Sequence, residues 1–114
     1  FTEFLVVSDA GLILSNLMNY PNPFNDFTRI HFEHNQTGVD LDVRLDIYDF
    51  NGRKVKTISN SISSSSYSNS EFVWDGNTDG GISMHTGVYI CKLTAVNSYT
   101  KEENTISTQM VLIK

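Results

Sequence analysis

One stretch of the chain alternates apolar and polar residues without a fault, and this alternation constrains the fold more than any other feature. The segment Leu41–Tyr48 has an aliphatic residue at every second position and charged residues between them. A repeat of two residues is that of a β-strand with one buried and one solvated face, as in antiparallel sheets. The residues predicted to point inward are Leu41, Val43, Leu45 and Ile47, and those predicted to point outward are Asp42, Arg44 and Asp46.

The same criteria predict further strands along the whole chain and no helix. Asn51-Gly52 is a strong hairpin signal before a strand at Arg53–Ile58. Ser59–Ser70, with eight serines in twelve residues, is predicted to be a flexible polar loop. The other predicted strands are Phe4–Val7, Leu12–Leu17, Thr28–His34 with Ile30 and Phe32 inward, a short strand with Phe72 and Trp74 on one face, Thr86–Val96 and Asn104–Ile113. Seven to eight short strands separated by turns predict an all-β fold, an immunoglobulin-like antiparallel β-sandwich.

The length and charge of the chain limit what it can be. Its 114 residues are enough for one domain with its own core, so 1–114 is predicted to be a single domain, with 1–13 a linker or a leading strand. The chain opens at Phe1 rather than Met, which favours a piece of a longer protein. No apolar run is long enough to span a bilayer. The net charge of −5, with eight basic residues, argues against a nucleic-acid partner.

Both prolines of the chain lie in one short segment, Asn19–Phe24, between two aromatic residues. Each proline fixes its own φ and pushes the preceding residue into an extended conformation. The segment is therefore predicted to form a stiff corner at the end of a strand, with Tyr20 and Phe24 holding it against the core.

A possible cation site lies at Asp75, Asn77 and Asp79, which match the front half of a calcium loop. The twelfth position, where such a loop needs a bidentate Glu, is occupied by Thr86. The favoured alternative is a tight turn in which Asp75 and Asp79 accept bonds from turn amides while Gly80 and Gly81 take positive φ. The sequence is thus expected to bind no metal and no cofactor.

The residues that could support catalysis do not form a recognisable frame. His31 and His34 point to opposite faces of one strand, and together with His85 they are interpreted as scattered surface histidines. Cys91 alternates with core positions, so it is predicted to be a buried small hydrophobe rather than a nucleophile. The domain is therefore not expected to be an enzyme.

The end of the chain breaks the alternation. Met110–Ile113 are four consecutive apolar residues, followed by Lys114. One interpretation is a central strand or one covered by a neighbouring domain. The other is a strand whose outer face or edge is left for a partner, since apolar edges promote association. With nothing after Lys114 in this sequence, the terminus is expected to be free for recognition.

With these residues in view, the chain resembles the FlgD-Ig-like modules at the C-termini of many secreted bacterial proteins. Leu14–Thr28 is similar to the family's opening segment, with Asp26 where a second-turn proline is common. Ile47–Val55 is similar to its hairpin. Three more motifs follow in the family's order, namely Trp74-Asp75-Gly76, Gly87-Val88-Tyr89 and Met110–Lys114. Modules with the last two motifs resemble sorting domains of the type IX secretion system, and the long loop after Trp74 is also similar to that of the sortases of this system.

The resemblance implies a non-catalytic sorting signal that a Bacteroidetes-type translocon recognises in the periplasm before transfer to the outer-membrane cell surface. Its sortase-like features imply docking to an outer-membrane shuttle β-barrel. The implied partner-binding residues are Gly87, Val88, Tyr89, Met110, Val111, Leu112, Ile113 and Lys114. Many cargo domains carry lysines where Thr108-Gln109 stand here, which argues against a charge-based contact at that point. Deleting Met110–Lys114 is expected to stop export while most of the fold survives.

Two other functions are compatible with the same β pattern. The first is a structural spacer or assembly module, as in the flagellar hook-cap protein. The second is a carbohydrate-binding module in which Trp74, Tyr67 and Tyr99 form an aromatic platform, although Trp74 alternates with Phe72 and is more typical of a core position.

Overall fold

The computed structural model describes residues 11–63 and 65–114, and these residues form seven β-strands. The strands are β1 (Leu14–Tyr20), β2 (Thr28–His34), β3 (Asp40–Tyr48), β4 (Lys54–Ser63), β5 (Ser68–Trp74), β6 (Gly87–Asn97) and β7 (Glu103–Leu112). The strand predicted at Phe4–Val7 lies outside the described residues. Within the described ranges, no helix is long and apolar enough to cross a membrane.

The strands form two antiparallel sheets. β1, β2 and β5 make a three-stranded sheet with β2 in the middle, and the other sheet has the order β4-β3-β6-β7. β3 and β6 are therefore the central strands of the larger sheet, and β4 and β7 are its edge strands. Two packed antiparallel sheets of this size are an immunoglobulin-like sandwich, which confirms the predicted fold class.

The alternation in β3 creates the core as predicted. Leu41, Leu45 and Ile47 are completely buried, and Leu45 lies between Ile58 of β4 and Leu93 of β6 in the sheet. Asp46 is the exception because it is buried on the outer face of the same sheet. It accepts hydrogen bonds from Arg44 Nε and Thr57 Oγ1, both at 3.0 Å. Burial alone would raise the pKa of Asp46, but these bonds and the nearby positive charges lower it below its usual value.

The serine-rich segment is mostly strand, so its prediction as a flexible loop was wrong. Ser59–Ser63 completes β4, which pairs with β3 as far as Ser63 opposite Asp40. Ser68–Ser70 begins β5. Ile62 is buried, whereas Ser59, Ser61, Ser63 and Ser68 are exposed, so the strands here lack the apolar repeat that marks a half-buried strand.

The proline corner is held against the core by one aromatic ring rather than two. Phe24 is buried, but the side chain of Tyr20 is 79% exposed, so its predicted inward position was wrong. The cause is an irregularity in the pairing of β1 with β2 between Ser15 and Met18. An extra residue at this point shifts the alternation, so that Leu17 and Asn19 point inward and Tyr20 points outward.

Candidate functional site

The two motifs implicated by the sequence lie side by side at one end of the larger sheet. Gly87 is opposite Leu112, Val88 is opposite Val111, and Tyr89 is opposite Met110. Gly87–Tyr89 begins β6 and Met110–Leu112 ends β7, so antiparallel pairing brings two segments more than twenty residues apart in sequence into one place. We call this region the paired-motif end.

The side chains of the paired-motif end divide into a buried and an outward group. Tyr89, Met110 and Leu112 belong to the core. Val88 and Val111 are partly exposed on the outer face, and Ile113 is 49% exposed beyond the last strand. Lys114 is exposed, and its Nζ bonds to Ser83 Oγ. Of the predicted partner-binding residues, Val88, Val111, Ile113 and Lys114 therefore have side chains that reach solvent, whereas Tyr89, Met110 and Leu112 do not.

Three aromatic rings pack under this end. The ring centroids of Phe24 and Trp74 are 5.5 Å apart, and those of Trp74 and Tyr89 are 5.3 Å apart. Such tilted and edge-to-face pairs are the favoured geometries for aromatic rings. Trp74 Nε1 donates to Asn77 O at 2.9 Å and Tyr89 Oη donates to His85 O at 2.6 Å, so both polar tips are satisfied. Burial and the negative charge of Asp49 raise the pKa of Tyr89, so the phenol stays protonated at neutral pH.

The glycines of the two neighbouring motifs have different roles. Gly76 has a φ of +79°, and a Cβ there would contact the side chains of Leu112 and Phe24 at 3.7–3.8 Å. Gly87 does not have a positive φ, and a Cβ there would make only ordinary contacts. The conformational requirement for glycine therefore lies at Gly76, in the Trp74-Asp75-Gly76 motif, rather than in Gly87-Val88-Tyr89.

The proline corner lies against the outer edge of β7 at the paired-motif end. Phe24 N donates to Val111 O at 2.9 Å, and Ile113 N donates to Phe24 O at 2.8 Å. Val111 N donates to Asn22 Oδ1 at 3.0 Å, and Asn25 Nδ2 donates to Ile113 O at 3.0 Å. One interpretation of the sequence left this strand edge open for a partner. In the structure the proline corner of the same chain occupies the edge at Val111–Ile113. Sequence reasoning missed Asn22 and Asn25, because an exposed asparagine in a turn carries no signal of a distant contact.

The backbone after β7 has a further contact on its other side. Lys114 N donates to Thr86 Oγ1 at 2.8 Å, from the residue that precedes β6. Thr86 stands at the twelfth position of the candidate calcium loop, where it lacks the carboxylate of a metal ligand, and its hydroxyl instead anchors the end of the chain described here.

Of the three candidate calcium residues, Asp75 and Asn77 bond to each other and Asp79 bonds elsewhere. Asp75 Oδ1 accepts a bond from Asn77 N at 3.0 Å, which is an Asx turn. The prediction that Asp79 accepts bonds from turn amides was wrong. Its carboxylate accepts a bond from Thr57 N at 3.3 Å and lies 3.7 Å from Lys56 Nζ. Among the described residues, no three His, Cys, Asp or Glu side chains are grouped as a metal site requires. The prediction for the glycines was half right, since Gly81 has a φ of +85° whereas Gly80 does not have a positive φ.

The remaining candidate residues are structural. Cys91 is buried as predicted, and burial together with the charge of Asp46 raises its pKa to about 12. His34 was predicted to lie on the surface, but it is buried, because it points inward at the end of β2. Trp74 is completely buried, which confirms the core position that the sequence favoured and removes Trp74 from the alternative aromatic platform with Tyr67 and Tyr99.

Comparison with known proteins identifies the family. Residues 18–107 match the model of a family described as the secretion system C-terminal sorting domain. The chain belongs to this family. Such domains are C-terminal sorting signals for type IX secretion, so the resemblance noted in the sequence is confirmed, and the domain itself is non-catalytic. A signal of this kind directs export through the secretion system.

A solved structure supports the same assignment. The sorting domain is similar to dimeric latent PorU from Porphyromonas gingivalis, with 26% sequence identity and a TM-score of 0.76. The similarity covers 96% of this chain and 10% of the PorU chain, so the sorting domain spans about a tenth of the length of that relative. A search of curated proteins gave no match.

Proposed function

We propose that the type IX machinery recognises this sorting domain in its folded form, through the outward side chains of the paired-motif end. The observation that carries the proposal is the direct pairing of Val88 with Val111 on the outer face of the sheet. Beside this apolar pair, Ile113 extends past the last strand and Lys114 adds a positive charge. A small apolar patch with one cation at its border is typical of a protein–protein contact.

The proposed partner is an outer-membrane shuttle β-barrel of the type IX translocon. In this proposal the domain reaches the periplasm, folds there and is bound through the paired-motif end. The attached passenger is then carried across the outer membrane and displayed on the cell surface. Membership of the sorting-domain family supports the route, and the accessible apolar side chains support the place of contact.

The experiment introduces single charges on the outer face of β7 and its extension. Val111→Asp and Ile113→Asp, each in the full-length protein in its native bacterium, are expected to reduce surface display at least about tenfold, since an unpaired carboxylate in an apolar contact costs more than about 1.4 kcal/mol. Ser107→Asp is the matched control, because Ser107 is exposed on the same face of the same strand. Surface display is measured by protease accessibility on whole cells, and retained protein is measured in the periplasmic fraction.

Melting temperatures of the purified variants separate recognition from folding. Ile113 is half-exposed, so Ile113→Asp is expected to melt close to the wild-type temperature. Normal display of both variants would overturn the proposed contact. Equal loss of display in Ser107→Asp would show that any added charge on this strand blocks export, and would overturn it as well.

A further inference from the structure

We infer that Asn22, Phe24 and Asn25 are positioning residues of the sorting signal. They bond to the backbone of Val111–Ile113 and so hold it in the position in which the partner binds the outward side chains. This inference rests on the proposed function, since it assigns a role to the corner only if the paired-motif end is what the translocon recognises. The two asparagines lie 89 and 88 positions before the residues that they contact.

The contact is a short run of hydrogen bonds along the edge of β7. Phe24 uses both its backbone N–H and its C=O, and forms an isolated parallel bridge to Leu112. Asn22 and Asn25 add one side-chain bond on either side of it. Together they engage the N–H and C=O of Val111 and of Ile113 in this segment. An outermost strand without such partners would expose these groups to water and fray at its end.

The corner is itself fixed by buried polar side chains. Asn19 Nδ2 donates to Thr28 Oγ1 at 3.0 Å, and Thr28 Oγ1 donates to Pro21 O at 2.9 Å. Asn19 and Thr28 are both buried, so the bond between them is shielded from water, and the two bonds tie the corner to the two strands that it joins. The ring of Phe24 anchors the other side against Trp74. Asn22 and Asn25 therefore project from a rigid element.

One asparagine side chain accepts a hydrogen bond and the other donates one, so the same substitution is expected to have different effects at the two positions. Asn22 accepts a bond from an N–H, so an aspartate in its place keeps the acceptor oxygen. Asn25 donates to a carbonyl, so an aspartate in its place removes the donor and puts an oxygen against an oxygen. Both side chains are exposed, and both substitutions add the same charge. The same chemical change is thus expected to be tolerated at position 22 and harmful at position 25.

The first measurement is amide hydrogen exchange in the 114-residue chain, which has its own core. Asn22→Ala is expected to raise the exchange rate of Val111 about fivefold, as the loss of one hydrogen bond does, while Asn22→Asp leaves it near the wild-type rate. Asn25→Asp is expected to raise the rate at Ile113 by a similar factor, because losing the donor to Ile113 O lets this end of β7 open and breaks the neighbouring bond from Ile113 N to Phe24 O. Core amides of β3 serve as the internal control. Unchanged rates at Val111 and Ile113 in Asn22→Ala and Asn25→Asp would overturn the inference.

The second measurement is surface display of the full-length protein in its native bacterium. The double variant Asn22→Ala/Asn25→Asp is expected to lower display at least about threefold, whereas Asn22→Asp is expected to display normally. A merely structural role would lower the melting temperature in parallel with display, so an unchanged melting temperature with reduced display supports positioning. Faster exchange with normal display would overturn it.

Failure of this inference can be told apart from failure of the proposed function. If Val111→Asp and Ile113→Asp display normally, the paired-motif end is not the recognised surface, whatever the exchange rates show. If those two variants fail to display but the double variant displays normally, the recognised surface stands and the positioning role is overturned.

Discussion

At the scale of the residue, Gly80 and Gly81 are adjacent in the loop between β5 and β6, but only Gly81 has a backbone conformation that requires glycine. Gly81 has a φ of +85°, with no atom within 4 Å of the position that a Cβ would occupy, so an alanine there would be strained without any clash. Gly80 has no positive φ, and its Cβ would make only an ordinary contact. We expect Gly81→Ala to lower the free energy of unfolding by about 1–2 kcal/mol and Gly80→Ala to change it by less than about 0.5 kcal/mol. Urea denaturation of both variants checks this, and equal effects would contradict it.

Also at this scale, His34 is expected to make stability depend on pH. Its Nδ1 accepts a bond from Gln36 N at 3.2 Å, so the neutral ring carries its proton on Nε2, which has no partner among the described residues. Burial lowers the pKa of His34 below its usual 6.5. As the pH falls below about 6.5, the unfolded chain takes up the proton first. The contribution of His34 to stability is therefore complete above this pH and is lost as the pH falls from there through the lower pKa of the folded state.

The test compares melting curves of the wild type and His34→Leu between about pH 7.5 and about pH 5. The wild type is expected to lose melting temperature more steeply than the variant over this range. His85→Leu is the control for loss of a histidine at an exposed position. Parallel curves for the wild type and His34→Leu would show that His34 is not the source.

At the scale of the element, β7 is a core strand as well as the strand that we propose for recognition. Met110 and Leu112 are completely buried, so deleting Met110–Lys114 removes two core side chains, each worth about 2–5 kcal/mol. This sum approaches the whole stability of an ordinary domain. The sequence led us to expect that most of the fold survives the deletion. The burial of Met110 and Leu112 leads us to expect instead that the truncated chain shows no cooperative thermal transition. Circular dichroism on heating checks this, and a sharp transition near the wild-type temperature would contradict it.

The strands also show what local sequence can and cannot predict. β3 was predicted correctly because its own side chains form the core on one face. The second half of β4 was missed because it is held by backbone pairing to β3, while its serines face solvent and give no periodic signal. The position of Tyr20 was missed because one irregularity in β1 reverses the alternation after it.

At the scale of the whole molecule, the motifs that identified the family meet at one end of the sandwich. Phe24 of the corner, Trp74 and Tyr89 form one aromatic group, and Gly76 lies against Leu112. The similarity to a family pointed to these segments, and which of them a partner contacts stays a prediction. It could not predict the bonds from Asn22 and Asn25 to β7, since nothing local indicates which of many polar side chains will meet a strand almost ninety residues away.

The burial of Cys91 affects how the domain behaves during export with an attached protein, the passenger. Compartments outside the cytoplasm favour disulfide formation, and a lone thiol there can pair wrongly with the cysteines of an attached protein. Only the thiolate attacks a disulfide, and with a pKa of about 12 the fraction ionised at neutral pH is about one in 10⁵. Cys91 is also completely buried between the two sheets. A folded sorting domain can therefore accompany a cysteine-containing passenger through an oxidising compartment without taking part in its disulfide chemistry.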